Sequence, residues 1–266
     1  MTPPHDATQA AILTATHRED RPCTDPSDDS WARFLAQPSW PSALSPALAA
    51  APERTYEVTI TNLTGGQAFT PPLIATHRGS THLFQVGRAA NLGTQEIAEN
   101  GNLAQFLGSL GADGAVSDFT SAMAPLVPVG SPMFGTFSNT VTLTVTAGPG
   151  AQFLSYESML ICTNDGFTGV DSLKLPNQVG ASVTVEGAGY DAGTEINTED
   201  FADIVPPCQG LIGVSSTDAG TGTTNEALAE GGVIHHHAGI MGGNDLLPAV
   251  HGWTNPVVEI TVERVS

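Results

Sequence analysis

The residues of this chain best suited to chemistry are carboxylates in two glycine-bearing loops. Asp165 lies in Thr163-Asn164-Asp165-Gly166-Phe167-Thr168-Gly169-Val170-Asp171-Ser172-Leu173, directly after an apolar run. Asp191 and Glu195 lie in Tyr190-Asp191-Ala192-Gly193-Thr194-Glu195-Ile196-Asn197, after an alternating segment at Val183 and Val185. Each stretch puts acids where a strand runs out into a turn. Hard cations such as Ca2+ take about six to eight oxygen ligands from carboxylates, backbone carbonyls and water. Two loops at one end of a sandwich can supply that set, with glycine letting the backbone bend toward the ion. Asp191 and Glu195 are four positions apart, so a tight turn can aim both inward. Asp-Gly and Asp-Ala-Gly are equally the wording of ordinary surface turns, and spacing alone leaves both readings open.

A second cluster is His235-His236-His237. In a strand, His235 and His237 share a face, and His251 and Asp245 follow closely in sequence. Imidazoles at i and i+2 can hold Zn2+ or Cu2+, so His235, His237 and His251 form a second candidate metal set. With Asp245 or Glu230 they would make a metal-dependent hydrolase. The alternative is an edge strand whose histidines are solvated or hydrogen-bonded. There is no Gly-x-Ser-x-Gly elbow, no His-Glu-x-x-His and no phosphate-binding glycine loop. The three cysteines, Cys23, Cys162 and Cys208, form no Cys-x-x-Cys pair. Either a Cys162–Cys208 bridge or two buried thiols fits their spacing.

The elements that must position these residues read as β-structure. Tyr56, Val58 and Ile60 alternate with Glu57, Thr59 and Thr61. Val141, Leu143 and Val145 alternate with threonines, and Val258, Ile260 and Val262 with Glu259, Thr261 and Glu263. A period of two marks half-buried strands. Ser158–Cys162 is continuously apolar after Ser158, which predicts a strand covered on both faces. Phe69–Ala75 and His82–Val86 are weaker strand candidates. After residue 52, the helical pattern lies over residues 91–110, which predicts two short helices split at Asn100-Gly101. The expected fold class is all-β: an antiparallel β-sandwich with a short helical insertion.

Charge narrows the partners. Across 266 residues, 27 Asp and Glu face 8 Lys and Arg, a formal charge of −19. Such a chain repels phosphate backbones, which argues against nucleic acid and anionic membranes. No apolar run approaches a membrane span. Residues 1–52 read as a Pro/Ser/Ala-rich disordered leader or linker, and 53–266 as one folded domain. Ala49-x-Ala51 resembles a signal-peptidase site, but Pro38, Pro41 and Pro46 interrupt the apolar stretch that an export leader needs. An export leader and a plain Ala/Pro linker both remain open.

Asn164–Leu173 and Tyr190–Glu195 resemble the spondin N-terminal domain, found in F-spondin, mindin and many bacterial proteins. That family's first loop typically reads Pro-Asp-Trp-x-Val-Gly-Val-Asp-Ser-Leu. The chain keeps the acid at Asp165, the glycine at Gly169 and the tail Val170-Asp171-Ser172-Leu173. The family's second loop, Asp-Ala-Gly-Thr-Asp, stands here as Asp191-Ala192-Gly193-Thr194-Glu195. Further likeness lies in Tyr56–Asn62, Phe69–Leu73, Ala75–His77 and Asn255–Arg264, so it spans about residues 55–266. Gly166 replaces the family's tryptophan, and Glu195 replaces an aspartate.

The resemblance implies a C2-like antiparallel β-sandwich that binds one Ca2+ through loop carboxylates. Carried over position by position, the implied metal ligands are Asp165, Asp191 and Glu195, while Asp171 is expected to stabilise its loop as an acceptor. It further implies a non-enzymatic, secreted or cell-surface recognition and adhesion module whose partner is an extracellular protein or glycan. A calcium-dependent carbohydrate-binding lectin is a further alternative. It requires an exposed ion beside an aromatic side chain.

Overall fold

A computed structural model of the chain describes residues 52–130, 137–214 and 216–266. The leader expected over residues 1–52 lies, apart from Pro52, outside the described residues. In chain order the elements are β1 (Arg54–Asn62), β2 (Leu73–His77), α1 (Leu92–Asn100), α2 (Ala104–Ala112), β3 (Val116–Ser121), β4 (Thr140–Ala147) and β5 (Phe153–Met159). There follow β6 (Gly166–Lys174), β7 (Ser182–Gly187), β8 (Gly189–Asp191), α3 (Pro207–Ile212), β9 (His235–His236), α4 (Pro248–His251) and β10 (Val258–Arg264).

The strands form two antiparallel sheets, one ordered β4-β1-β10-β7 and the other β3-β2-β5-β6-β8-β9. The Thr/Val alternation explains the first sheet. In β1, Tyr56, Val58 and Ile60 are buried, and their neighbours in register are Val145 and Leu143 on β4 and Val262 and Ile260 on β10. The opposite face carries threonine pairs such as Thr59–Thr142 and Thr184–Thr261, hydrogen-bonded at 2.9 and 2.8 Å. Such a face is content in water, whereas the valine face must be covered.

The second sheet is covered on both sides. One side meets the first sheet through Ile74, Leu154, Tyr156 and Leu160. On the other, Leu73, Ala75, Met159 and Phe167 pack beneath Ile97, Ala98, Phe106 and Leu110 of α1 and α2. This accounts for β5, where six of seven residues are buried. The doubly covered strand runs over Phe153–Met159 rather than Ser158–Cys162; the apolar text after Met159 turns the corner into the Asp165 loop.

The helical insertion falls where the sequence placed it. Asn91 caps α1 by accepting the Thr94 amide, and Gly101 ends it in the left-handed region at φ 65°. That backbone conformation suits glycine and stops the helix. His82–Val86 is not a strand. Leu83 and Phe84 are buried there by an irregular segment that Asp171 and Asn91 hold through the Leu83 backbone.

Candidate metal centre

The two acidic loops meet where β6 pairs with β8. Gly166 stands opposite Asp191, Phe167 opposite Tyr190, and the Ala192 amide donates to the Asp165 carbonyl at 3.1 Å. Thr163 makes the corner that delivers Asp165. Its hydroxyl donates to the Leu160 carbonyl at 2.7 Å and accepts the Gly166 amide at 2.8 Å. A Cβ on Gly166 would lie 2.4 Å from that same hydroxyl oxygen, so the loop requires glycine at this position. Gly193 turns the second loop at φ 68°, with its own amide on Asp191 Oδ1 at 2.8 Å.

Asp165 is fully buried, and its two oxygens have different surroundings. Oδ2 accepts the amides of Thr194 and Glu195 at 2.7 and 3.0 Å and the Thr194 hydroxyl at 3.2 Å. Oδ1 is buried and has no hydrogen-bond partner among the described residues. Burial pushes the carboxyl up to about 6, Asp191 adds to this, and the Glu195 and Thr194 donors oppose it. Asp191 is 2% exposed and accepts from Gly193 on Oδ1 and from the Asn197 side chain on Oδ2 at 2.7 Å. Each of its oxygens keeps a further lone pair.

Glu195 diverges from this pair. Its Oε1 accepts the Asn225 amide at 2.9 Å, and its backbone pairs with Ala229. Burial pushes the carboxyl up to about 7, helped by Glu99, Asp165 and Asp203. The structure therefore joins Asp165 to Asp191 and sets Glu195 on the flank, between that pair and the Glu99 side of the fold. The three are not among the groups whose ligand atoms all lie within 4.8 Å of one another. Among the described residues those groups are Asp200, Asp218 and Asp245, and Cys162, Cys208 and His251. The first is partly exposed and joins three turns distant in sequence, so no sequence motif announces it. Asp245 there accepts the Phe201 amide at 3.0 Å.

The three histidines of the second candidate set have separate surroundings. His235 is half exposed, and its Nδ1 donates to the Val233 carbonyl at 3.0 Å while standing 3.7 Å from Asp191 Oδ1. His237 is buried, with its ring edge-on to Trp253. Its Nδ1 accepts the Gly239 amide at 3.0 Å, so the neutral ring carries its proton on Nε2, which is buried without a partner. His251 follows the same rule. Nδ1 accepts the Leu247 amide at 2.9 Å, Nε2 is buried without a hydrogen-bond partner, and the ring lies beside Cys162 and Cys208. Burial lowers the basicity of His237 and His251. An imidazole so bonded offers no lone pair to an ion, and His235 alone of the three keeps Nε2 free.

Cys162 and Cys208 form a disulfide across 46 residues, tying the Asp165 loop to α3. Asp171 accepts the Leu83 amide at 2.9 Å, the Ser155 hydroxyl at 3.1 Å and the Ser172 hydroxyl at 3.0 Å, and pairs with His82 Nδ1 at 2.5 Å. It is a loop-holding acceptor. Trp253 is partly buried between the two halves of the core and leaves no room for a side chain at Gly189. Glu199, which the sequence did not single out, accepts the Met241, Gly242 and Gly243 amides and so clamps the 241–243 turn.

No protein-family model matches the chain, and no curated protein sequence matches it.

Proposed function

We propose that this chain is a spondin-type, non-enzymatic recognition module that binds Ca2+ at the meeting point of the Asp165 and Asp191 loops and works outside the cell. The observation that carries the reading is the Asp165 carboxylate: wholly buried, one oxygen unpartnered, and set beside a second buried acid. Ionised, that pair is costly to bury without a cation. A hard divalent ion would take Asp165 Oδ1 and Asp191, with loop carbonyls and Glu195 Oε2 close by in the chain. The ion would hold two loops in one conformation and fix the surface they present to a protein or glycan. The Cys162–Cys208 disulfide supports an oxidising compartment.

The hydrolase reading needs at least two free imidazole nitrogens on one ion, and the hydrogen bonds of His237 and His251 favour the oxygen-ligand site instead. The test is a thermal melt of the full chain after EGTA treatment, then with Ca2+, Mg2+ or Zn2+. Ca2+ is expected to raise the melting temperature by several degrees, and Asp165→Asn or Asp191→Asn to remove the rise. No rise with any of the three ions would overturn the reading, and a rise with Zn2+ alone that His235→Ala abolishes would favour the hydrolase.

A further inference from the structure

Residues 52–266 carry a formal charge of −16 and hold five basic side chains, Arg54, Arg78, Arg88, Lys174 and Arg264. In so acidic a body, chance would scatter them among carboxylates. Four of the five instead gather at one end of the sandwich. Arg54 begins β1 and Arg264 ends the neighbouring antiparallel β10, whose register places both at the same end of the first sheet. Lys174 ends β6 opposite Phe153, and Phe153 stands opposite His77, the residue before Arg78. The same end of both sheets thus delivers all four. Between them lies a cleft of about 440 Å3 lined by Arg54, Gly150, Gln152, Lys174, Asn177 and Arg264, with no acid in the lining. Arg78 lies along its rim, its guanidinium beside Gly150.

The pairing of these cations sharpens the point. Among the described residues, none of the five lies within 4.0 Å of an Asp or Glu carboxylate. Arg54 donates to the Ala151 carbonyl, and Arg264 to the Asn177 carbonyl and a backbone oxygen of Ser266. Those bonds orient the two guanidinium groups, and no Asp or Glu side chain neutralises either of them. Lys174 and Arg78 are exposed, and neither side chain makes a hydrogen bond among the described residues. Glu53 and Glu263 adjoin Arg54 and Arg264 in sequence, and neither carboxylate lies within 4.0 Å of them.

We propose that this cleft binds a small oxyanion-bearing ligand, with Arg54 and Arg264 as a fixed floor and Lys174 and Arg78 closing from the exposed side. Guanidinium groups offer paired N–H donors that match carboxylate, sulfate and phosphate oxygens, and the Gln152 and Asn177 amides can serve a polar body attached to the anion. The ligand is small because the charge of the remaining surface repels a long polyanion beyond the cleft. The site does not rest on the cation reading. Asp165 and Lys174 flank the two ends of β6, roughly 25–30 Å apart at strand rise.

The test is titration of the full, EGTA-treated chain with inorganic phosphate, inorganic sulfate and glucose 6-sulfate at low ionic strength. Binding is followed by calorimetry and amide chemical shifts. Melting temperature is a poor readout here, because phosphate and sulfate stabilise folded proteins by exclusion from their surface. Saturable binding is expected, weakened at least tenfold in Arg78→Ala/Lys174→Ala and unchanged in Arg88→Ala. Tighter binding of glucose 6-sulfate than of sulfate identifies a sugar-borne anion, and equal binding identifies the free ion. The absence of saturable binding to all three probes overturns the proposal, as does binding that the double variant leaves undiminished.

Discussion

Asp165 directly precedes β6, which pairs with β8 at Asp191, and Asp191 adds to the cost that burial already places on ionising Asp165. The sign of the resulting pH dependence follows. Asp165 holds its proton up to about pH 6 in the fold, against about 4 in an unfolded chain. Between those values the native state binds more protons, so rising pH lowers stability. In EGTA the Asp165 contribution is expected to fall by on the order of 3 kcal/mol from pH 4 to pH 7. His237 and His251 act oppositely, losing stability as pH falls below about 6.5, so the comparison is with Asp165→Asn. Wild type should lose stability relative to the variant as pH rises, and excess Ca2+ should cancel that loss. Parallel urea-melt profiles for the two proteins would sink this prediction.

Gly193 positions the amides that face Asp165. Its φ is 68°, and a Cβ there would lie 2.6 Å from the Val233 nitrogen and 2.8 Å from the Val233 oxygen. Both atoms are backbone, so a clash cannot be relieved by turning a side chain. Gly193→Ala is therefore expected to cost more than about 2 kcal/mol, combining left-handed strain with overpacking. Because Thr194 and Glu195 follow directly, it should also weaken the Ca2+ effect on melting. A loss under about 0.5 kcal/mol by urea denaturation would show that the turn is not constrained in this way.

His237 buries an N–H with no acceptor beside Trp253. His237→Phe keeps a ring against the indole and removes the unsatisfied donor. It also removes the acceptor of the Gly239 amide, so the net change is expected to stay within about 1 kcal/mol of neutral, with the Ca2+ response intact. Loss of cation response in this variant would assign His237 a ligand role that its hydrogen bonds argue against.

The sandwich was legible because its strands bury one face only, so Tyr56, Val58 and Ile60 write their environment into every second position. Where both faces are covered the code fails. The run after Ser158 reads as a strand, yet a strand and a buried turn ask for the same apolar residues, and only the Thr163 hydroxyl bonds separate them. The meeting of the Asp165 and Asp191 loops was readable from acids placed at strand ends. The Glu195 displacement was not, since one side chain's direction depends on Asn225 thirty residues away. Spacing grouped His251 with His235 and His237. A chain that travels through the Asp245 turn and α4 between them brings it instead to the disulfide. Gly166 has a physical reason of its own, since Thr163 occupies the space above it.

The Cys162–Cys208 bond closes a loop of 46 residues that contains both acidic loops, β6, β7 and β8. Cross-linking a loop of that length removes unfolded-state entropy worth about 4 kcal/mol at 25 °C. Cys208 sits in the short helix α3, packed with Phe201, Ile204 and Leu211 in the same part of the core. When the bond is cut, α3 is held by that packing and by the Gln209 side chain's bonds to Asp218 and Ser216, while β6 and β8 remain paired to the sheet. Cys162→Ala/Cys208→Ala is therefore expected to lose about 2–5 kcal/mol and to loosen α3 ahead of the strands. Urea melts measure the loss, and amide exchange read by mass spectrometry locates it. Excess Ca2+ should recover part of the stability, because the ion would tie the two loops from within the opened ring. Equal exchange in α3 with and without the bond would mean that the packing, not the sulfurs, holds this helix in place.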